Sequence, residues 1–425
     1  MAKQKSIEKS RPNWYKLDNA AKIFPAVVNS ERSSVFRVSA VLNNPVKYHI
    51  LVKAVENIKN RFPYYNVHLK KGFFWYYLEE YKSKTIIEPD FSIPNQSFNL
   101  KKNKLYRILV FKNRISVEFL HILTDGTGAL EYLKTLLTTY FHILGVKLIN
   151  WENLLNSDEK PHPEEAEDAY NRFFKKNIPV IPILKKAYHL PFKLNAKPRY
   201  MVTNALISAK SILNEAKKYE VSLTVYLAAI YLFSLQKVAL ENQKKSIIRL
   251  QIPVNLRNIY PSKTMRNFAL FITPEIDLRL GEYTLDEIIK IVHHHLQLKT
   301  DKKLIDKNIT RNVRNEKYFI IRMLPLFIKN FILYIMYHIR GTNQYSGVLT
   351  NLGRVNLPES VSKNIDHFDF TPPPPNTDLK INAGVISINN NLVISFGSVC
   401  KSKKLEQFML KFLIDSGINV KLIKY

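Results

Sequence analysis

Residues 115 to 126, ISVEFLHILTDG, constrain this chain more than any other stretch. Ile115, Val117, Phe119 and His121 alternate with Ser116, Glu118 and Leu120, a period of two that predicts a half-buried β-strand. His121 keeps phase with the apolar positions, so the strand delivers an imidazole toward the interior. Asp125 and Gly126 follow, and Leu130, Leu133, Leu136, Leu137, Tyr140, Phe141 and Leu144 then take up helical spacing. The pattern is a strand, a tight loop holding His and Asp, and a long helix. Two readings fit these residues alone. One is a core histidine beside an aspartate that caps the positive end of the helix. The other is a functional pair.

A chain of 425 residues is long enough for two domains or one two-lobed unit. Its hydrophobic fraction of 46% excludes a disordered protein. Lys and Arg number 64 against 35 Asp and Glu, a formal charge of +29 that favours anionic partners. The lysines are scattered through every segment, and there is no zinc-ligand spacing, glycine-rich phosphate loop or basic run interleaved with aromatics. Nucleic acid and metal are therefore not expected. Cys400 is the single cysteine, which rules out an intrachain disulfide. The polar start lacks the apolar core of a signal peptide, and a cytoplasmic location is expected. In the apolar stretch 318 to 339, Arg322, Pro325, Lys329 and Asn330 argue against a spanning helix. Burial is the favoured expectation there, with peripheral membrane contact as the lesser one.

The chain divides into three. Residues 1–155 form a first lobe, with strands at 34–42, 73–81, 105–111 and 115–120, a helix at 46–62, and a hairpin turn at Asn113–Arg114. Residues 156–200, rich in acids and prolines, form a connecting segment too long for an ordinary loop. Residues 201–425 form a second lobe. It opens with a strand at 200–207, two helices capped by Ser208 and Ser222, and a strand at 246–254. A further strand near 268–278, a helix at 284–299 and helical segments over 316–339 follow. Strands at 346–351, 366–370, 381–388 and 392–399 and a helix at 402–415 complete it. Mixed strands and helices in both halves predict an α/β or α+β two-layer sandwich.

His121-x-x-x-Asp125-Gly126 resembles the HxxxDG signature of the acyltransferases built like chloramphenicol acetyltransferase. That superfamily includes the condensation domains of non-ribosomal peptide synthetases, wax ester synthases, the plant BAHD enzymes and bacterial alcohol acetyltransferases. Residues 252–257, IPVNLR, followed by Asn267, look like its PVxLR segment and downstream asparagine. Residues 346–355, SGVLTNLGRV, look like its late strand, and WYKLDNAAKIFPA is similar to the start of free-standing alcohol-acetyltransferase-like members. Two departures matter. Leu120 stands where condensation domains and wax ester synthases usually carry a second histidine, and PPPPNTDLKINAG replaces the BAHD DFGWG.

The resemblance implies two similar lobes with the active site in a tunnel between them. It implies acyl transfer, acetyl in the first instance, from a coenzyme A thioester to an alcohol or amine. Acyl-CoA is a co-substrate, with no permanently bound cofactor. His121 would be the general base, a role suited to an imidazole titrating near neutrality. Asp125 would turn from the substrate and form a bidentate pair with Arg257, with Gly126 shaping the loop and Asn267 in support. Thr350, Asn351 and Gly353, or the backbone amide near Gly126, would line the tunnel or hold the oxyanion. The alternatives are a free-standing condensation-type enzyme fed by an acyl carrier protein, or a non-catalytic binding module of the same fold.

Overall fold

The computed structural model describes residues 13–423 apart from 82–86, 91–92, 101–104, 148–150, 152–153, 177, 180–183 and 338–340. Arg114–Leu120 is the middle strand of a five-stranded sheet, ordered Ile365–Thr371, Val35–Leu42, Arg114–Leu120, Tyr106–Phe111 and Ile87–Pro89. The hairpin that leads into it turns at Lys112–Asn113, one residue earlier than expected. Lys112 takes a left-handed conformation (φ 51°), which leaves Arg114 in the ladder opposite Phe111.

The expected half-buried strand is instead buried along its whole length. Ile115, Val117 and Phe119 enter the first hydrophobic core. Ser116 and Glu118 are buried as well, because the other face of the sheet is also covered. Glu118 accepts from Arg37 Nε at 2.8 Å and from Arg107 Nε at 2.5 Å, and Ser116 donates to Ser39 Oγ at 3.0 Å. A carboxylate in such a place is tolerated only when its charge is paired. The helices Gly126–Ile143 and Tyr48–Ile58 pack together on the core face.

The second core lies under an eight-stranded sheet. Its main path runs Ala269–Ile272, Ile247–Asn255, Gly347–Arg354, Ile381–Ile388, Asn391–Ser398, Met201–Ser208 and Val420–Ile423, with Glu275–Asp277 also paired to Ile247–Asn255. Helix Leu223–Glu241, apolar on nearly every side, fills the core beneath it. Among the described residues it is the one helix long and apolar enough to cross a membrane, and most of it is buried. Together the two cores make a two-lobed α/β fold.

Three features tie the lobes together. Ile365–Thr371, late in the sequence, pairs with Val35–Leu42 of the first sheet. It packs against Ile381–Ile388 of the second, where a Cβ on Gly384 would lie 2.3 Å from the Phe370 carbonyl oxygen, so that approach requires glycine. The segment between the lobes carries Glu165, whose carboxylate is gripped by Arg61 at 2.6 and 2.7 Å and by the Tyr64 hydroxyl at 2.7 Å. The Glu165 carbonyl accepts the Met265 N–H at 2.8 Å, so this strap holds both halves at once.

Several elements were not anticipated. Helix Lys302–Lys317 and strands Trp14–Lys16, Val67–Lys71 and Val420–Ile423 are the main ones. The expected burial of 318–339 does not hold for its described part. Helices Phe319–Met323 and Leu326–Met336 bury only Leu326 and Lys329, and turn most of their large apolar side chains outward.

Candidate active site

The strand Arg114–Leu120 ends at His121, whose backbone N–H still donates to Ser34 at 3.1 Å. That bond fixes the point at which the imidazole leaves the sheet. Its ring is stacked on Phe24 (centroids 5.3 Å apart, planes 11° apart) and tilted against Phe36 at 4.5 Å. Burial lowers its pKa below the ordinary imidazole value, opposed by a hydrogen bond to the Asn267 side chain, the charge of Asp125 and a hydrogen bond to the Thr124 backbone. Burial thus favours the neutral ring.

Asn267 sits against one nitrogen of the ring. Its Nδ2 donates to Asp18 Oδ2 at 2.9 Å and to the His121 carbonyl at 2.9 Å. Its Oδ1 thus faces His121 Nδ1, 3.3 Å away, as an acceptor. This arrangement fits a hydrogen on Nδ1 and the lone pair on Nε2. Asp18 also accepts from the Ala21 N–H at 2.8 Å. Burial, with the charge of Asp168 adding to it, pushes its carboxyl up to about 7.

Asp125 caps the helix, as one reading of its sequence position expects, and also pairs with Arg257. Oδ1 caps helix Gly126–Ile143 through the Gly128 N–H at 3.1 Å, while Oδ2 accepts from Arg257 Nη1 at 2.9 Å and from the Phe268 N–H at 2.8 Å. The pair is not bidentate as expected. The rest of the Arg257 guanidinium binds the Thr264 carbonyl at 2.8 Å, the Arg266 carbonyl at 2.6 Å and Asn255 Oδ1 at 3.0 Å. Arg257 thus folds its own loop and pins it to Asp125. The start of the helix is packed tightly. A Cβ on Gly126 would lie 2.6 Å from Leu352 Cδ2, and one on Gly128 would lie 2.1 Å from Thr124 Oγ1. Thr124 Oγ1 itself donates to the Met265 carbonyl at 2.6 Å.

The structure brings His121, Asp125, Gly126, Arg257 and Asn267 together at the junction of the lobes. The three residues from the late strand Gly347–Arg354 are divided. Leu352 packs on the first core beside Gly126, and Thr350 shares its face by strand alternation. Asn351 points the other way, its Nδ2 donating to Thr224 Oγ1 at 3.0 Å and its Oδ1 accepting the Gly353 N–H at 2.8 Å. Gly353 is left-handed (φ +79°) where the strand register shifts. Asn351 and Gly353 line an open cavity of about 570 Å³ that also presents Lys210, Lys217 and Arg354. Asp18, Phe24 and Phe36 escaped the sequence reading, because nothing local connects them with His121.

No family model matches the chain, and no curated protein matches it in sequence. Solved structures do match it in shape. The epimerization domain from the third module of tyrocidine synthetase B superposes with a TM-score of 0.62 at 12% identity, covering 97% of this chain and 98% of that one. The TRI3 trichothecene 15-O-acetyltransferase from Fusarium sporotrichioides gives 0.61 at 11% identity, covering 97% of each. Polyketide synthase associated protein 5 from Mycobacterium tuberculosis gives 0.58 at 13% identity, covering 94% of this chain and 97% of that one. The fold is that of the chloramphenicol acetyltransferase-like proteins, in two lobes over essentially the full length.

Proposed function

We propose that this chain is an acyltransferase that moves an acyl group from a thioester to a hydroxyl or amine, with His121 Nε2 as general base. The observation that carries the reading is the Asn267 amide. Bonded to Asp18 and to the His121 carbonyl, it turns its Oδ1 to His121 Nδ1, which leaves Nε2 to carry the lone pair, while burial favours the neutral ring. The likeness to an O-acetyltransferase supports this reaction class, and solved condensation domains share the fold.

In this reading the acceptor O–H or N–H gives its proton to Nε2 as its heteroatom bonds to the thioester carbonyl carbon. The tetrahedral oxyanion is met by N–H groups at the positive end of helix Gly126–Ile143 or by the Thr350 hydroxyl. Collapse breaks the C–S bond, and the thiolate recovers the proton from the imidazolium. No acyl-enzyme is needed. Coenzyme A is the first donor to consider, and Lys210, Lys217 and Arg354 around the open cavity suit its phosphates. A phosphopantetheine arm on a carrier protein presents the same chemistry, a second reading favoured by the likeness to carrier-dependent synthetase domains.

The test is thiol release from acetyl-coenzyme A and from an acetylated carrier protein, over a panel of alcohols and amines, with native protein and His121→Ala. Acceptor-dependent release that falls about a hundred- to ten-thousand-fold in a folded His121→Ala variant is the expected result. Equal release by both proteins removes His121 from the role of base. The donor that supports turnover decides between coenzyme A and the carrier.

A further inference from the structure

Helix Leu326–Met336 is built inside out. Its polar residues face the protein: Lys329 Nζ donates to the Phe74 carbonyl at 2.9 Å and to the Arg322 carbonyl at 3.1 Å, and lies 3.8 Å from the Trp75 ring centre. Asn330 Nδ2 donates to the Tyr76 hydroxyl at 3.1 Å. Most of its large apolar residues face out. Phe327 is 68% exposed and Phe331 66%, and on the preceding helix Phe319 and Ile320 are each 76% exposed. Phe73, held beside them because its carbonyl accepts the Leu326 N–H at 2.9 Å, is 72% exposed. Met323, Ile332, Tyr334 and Ile335 extend the same surface. A helix that bonds its polar side chains inward and offers Phe and Ile outward is satisfied only when an apolar phase covers it.

The charges around the patch say which phase. Between Glu316 and Glu359 the sequence contains no Asp or Glu, while Lys317 and Arg322 fall inside the stretch and are exposed. Glu316 is itself engaged by Lys22 and Asn19. Tyr318 and Tyr334 flank the exposed phenylalanines, the placement favoured at a membrane interface. We propose that helices Phe319–Met323 and Leu326–Met336, with Phe73, form a docking surface for an anionic lipid bilayer, inserting Phe319, Phe327 and Phe331 below the headgroups. The proposal goes beyond the transferase reading and does not rest on it. Helix Leu326–Met336 also packs on the short helix Phe24–Val27, whose Phe24 stacks on His121. The docking face is therefore one helical layer from the imidazole.

The experiment is co-sedimentation of the full chain with phosphatidylcholine vesicles, with and without about one-third phosphatidylglycerol. The expected result is binding to the anionic vesicles, weakened by high salt, and a partition coefficient about tenfold lower or less in the triple variant Phe319→Glu, Phe327→Glu, Phe331→Glu with an unchanged thermal melt. Phe327→Ser serves as a milder second variant, expected to weaken binding partially. Native protein left in the supernatant, equal binding to uncharged vesicles, or equal binding by the folded variants overturns the proposal. So does a native dimer that the variants abolish without any vesicle binding, which would give this face to a second copy.

Discussion

Asp18 Oδ2 accepts the Asn267 side-chain amide at 2.9 Å across 249 positions of sequence. The contact joins the N-terminal segment to the loop after strand Ile247–Asn255, and the same amide orients His121. A change at Asp18 is therefore felt at the imidazole without touching it.

Because Asp18 is pushed up to about 7 when folded, against an ordinary carboxyl near 3.8, the folded state holds its proton more tightly than the unfolded state. Stability from this group is full below about pH 4 and is lost as pH rises toward 7. Asp18→Asn removes the titration and keeps an oxygen acceptor. The difference in melting temperature, variant minus native, should move in favour of the variant between pH 4 and 7. A flat difference would show that Asp18 is already ionised across that range.

The base form of His121 must be neutral, and burial holds its pKa below the usual 6.5. The activity proposed here should therefore rise with pH through an inflection below that value and then level off. Asn267→Ala removes a hydrogen bond that stabilises the charged ring, so the inflection should move lower while kcat falls. A pH–rate profile of kcat/KM for both proteins checks this. An unmoved inflection in a folded variant would contradict the coupling.

Asp125 and Arg257 are both largely buried, and each serves the other's loop. Asp125→Ala leaves Arg257 without its carboxylate and removes the cap of helix Gly126–Ile143. It should destabilise the fold by about 3–5 kcal/mol in urea denaturation. Arg257→Lys should also be harmful despite keeping the charge, because a single ammonium cannot reach Asp125, Thr264 and Arg266 together.

Gly128 tolerates less than Gly126, although Gly126 belongs to the recognisable motif. A methyl at 126 meets the flexible end of Leu352, whereas one at 128 meets Thr124 Oγ1, the Met265 carbonyl and the Tyr65 hydroxyl at 2.1 to 2.7 Å. Gly128→Ala should cost about 1–3 kcal/mol and Gly126→Ala less, measured by thermal or urea unfolding.

The local elements of the site were legible. The strand into His121, the Asp125 cap, the strand ending at Asn255 and the core helix after Ser222 each announce themselves by period or cap. Contacts across the chain were not. Asp18, Phe24 and Phe36 meet His121 only after folding, and no spacing records that. Helix Lys302–Lys317 was missed because its charged surface hides the signal, although Ile305, Ile309 and Val313 recur every fourth residue and are buried. The burial of Glu118 follows from Arg37 and Arg107 on neighbouring strands, and sheet order is not written in one strand's alternation. The apolar stretch near 330 misled for the opposite reason: its composition suggested an interior, and its polar residues turned out to be the anchors.

The pairing of Ile365–Thr371 with Val35–Leu42 has a consequence for biosynthesis. A nascent chain that has delivered every other strand of the first sheet still presents the edge of Val35–Leu42, eight residues that end fully buried. That edge stays open while the 245 residues from Leu120 to Ile365 are made, since Leu42 meets Ile365. Open strand edges recruit other chains. Ribosome-bound or truncated forms ending before Ile365 are thus the species that need a chaperone, and the last quarter of the message closes the first lobe.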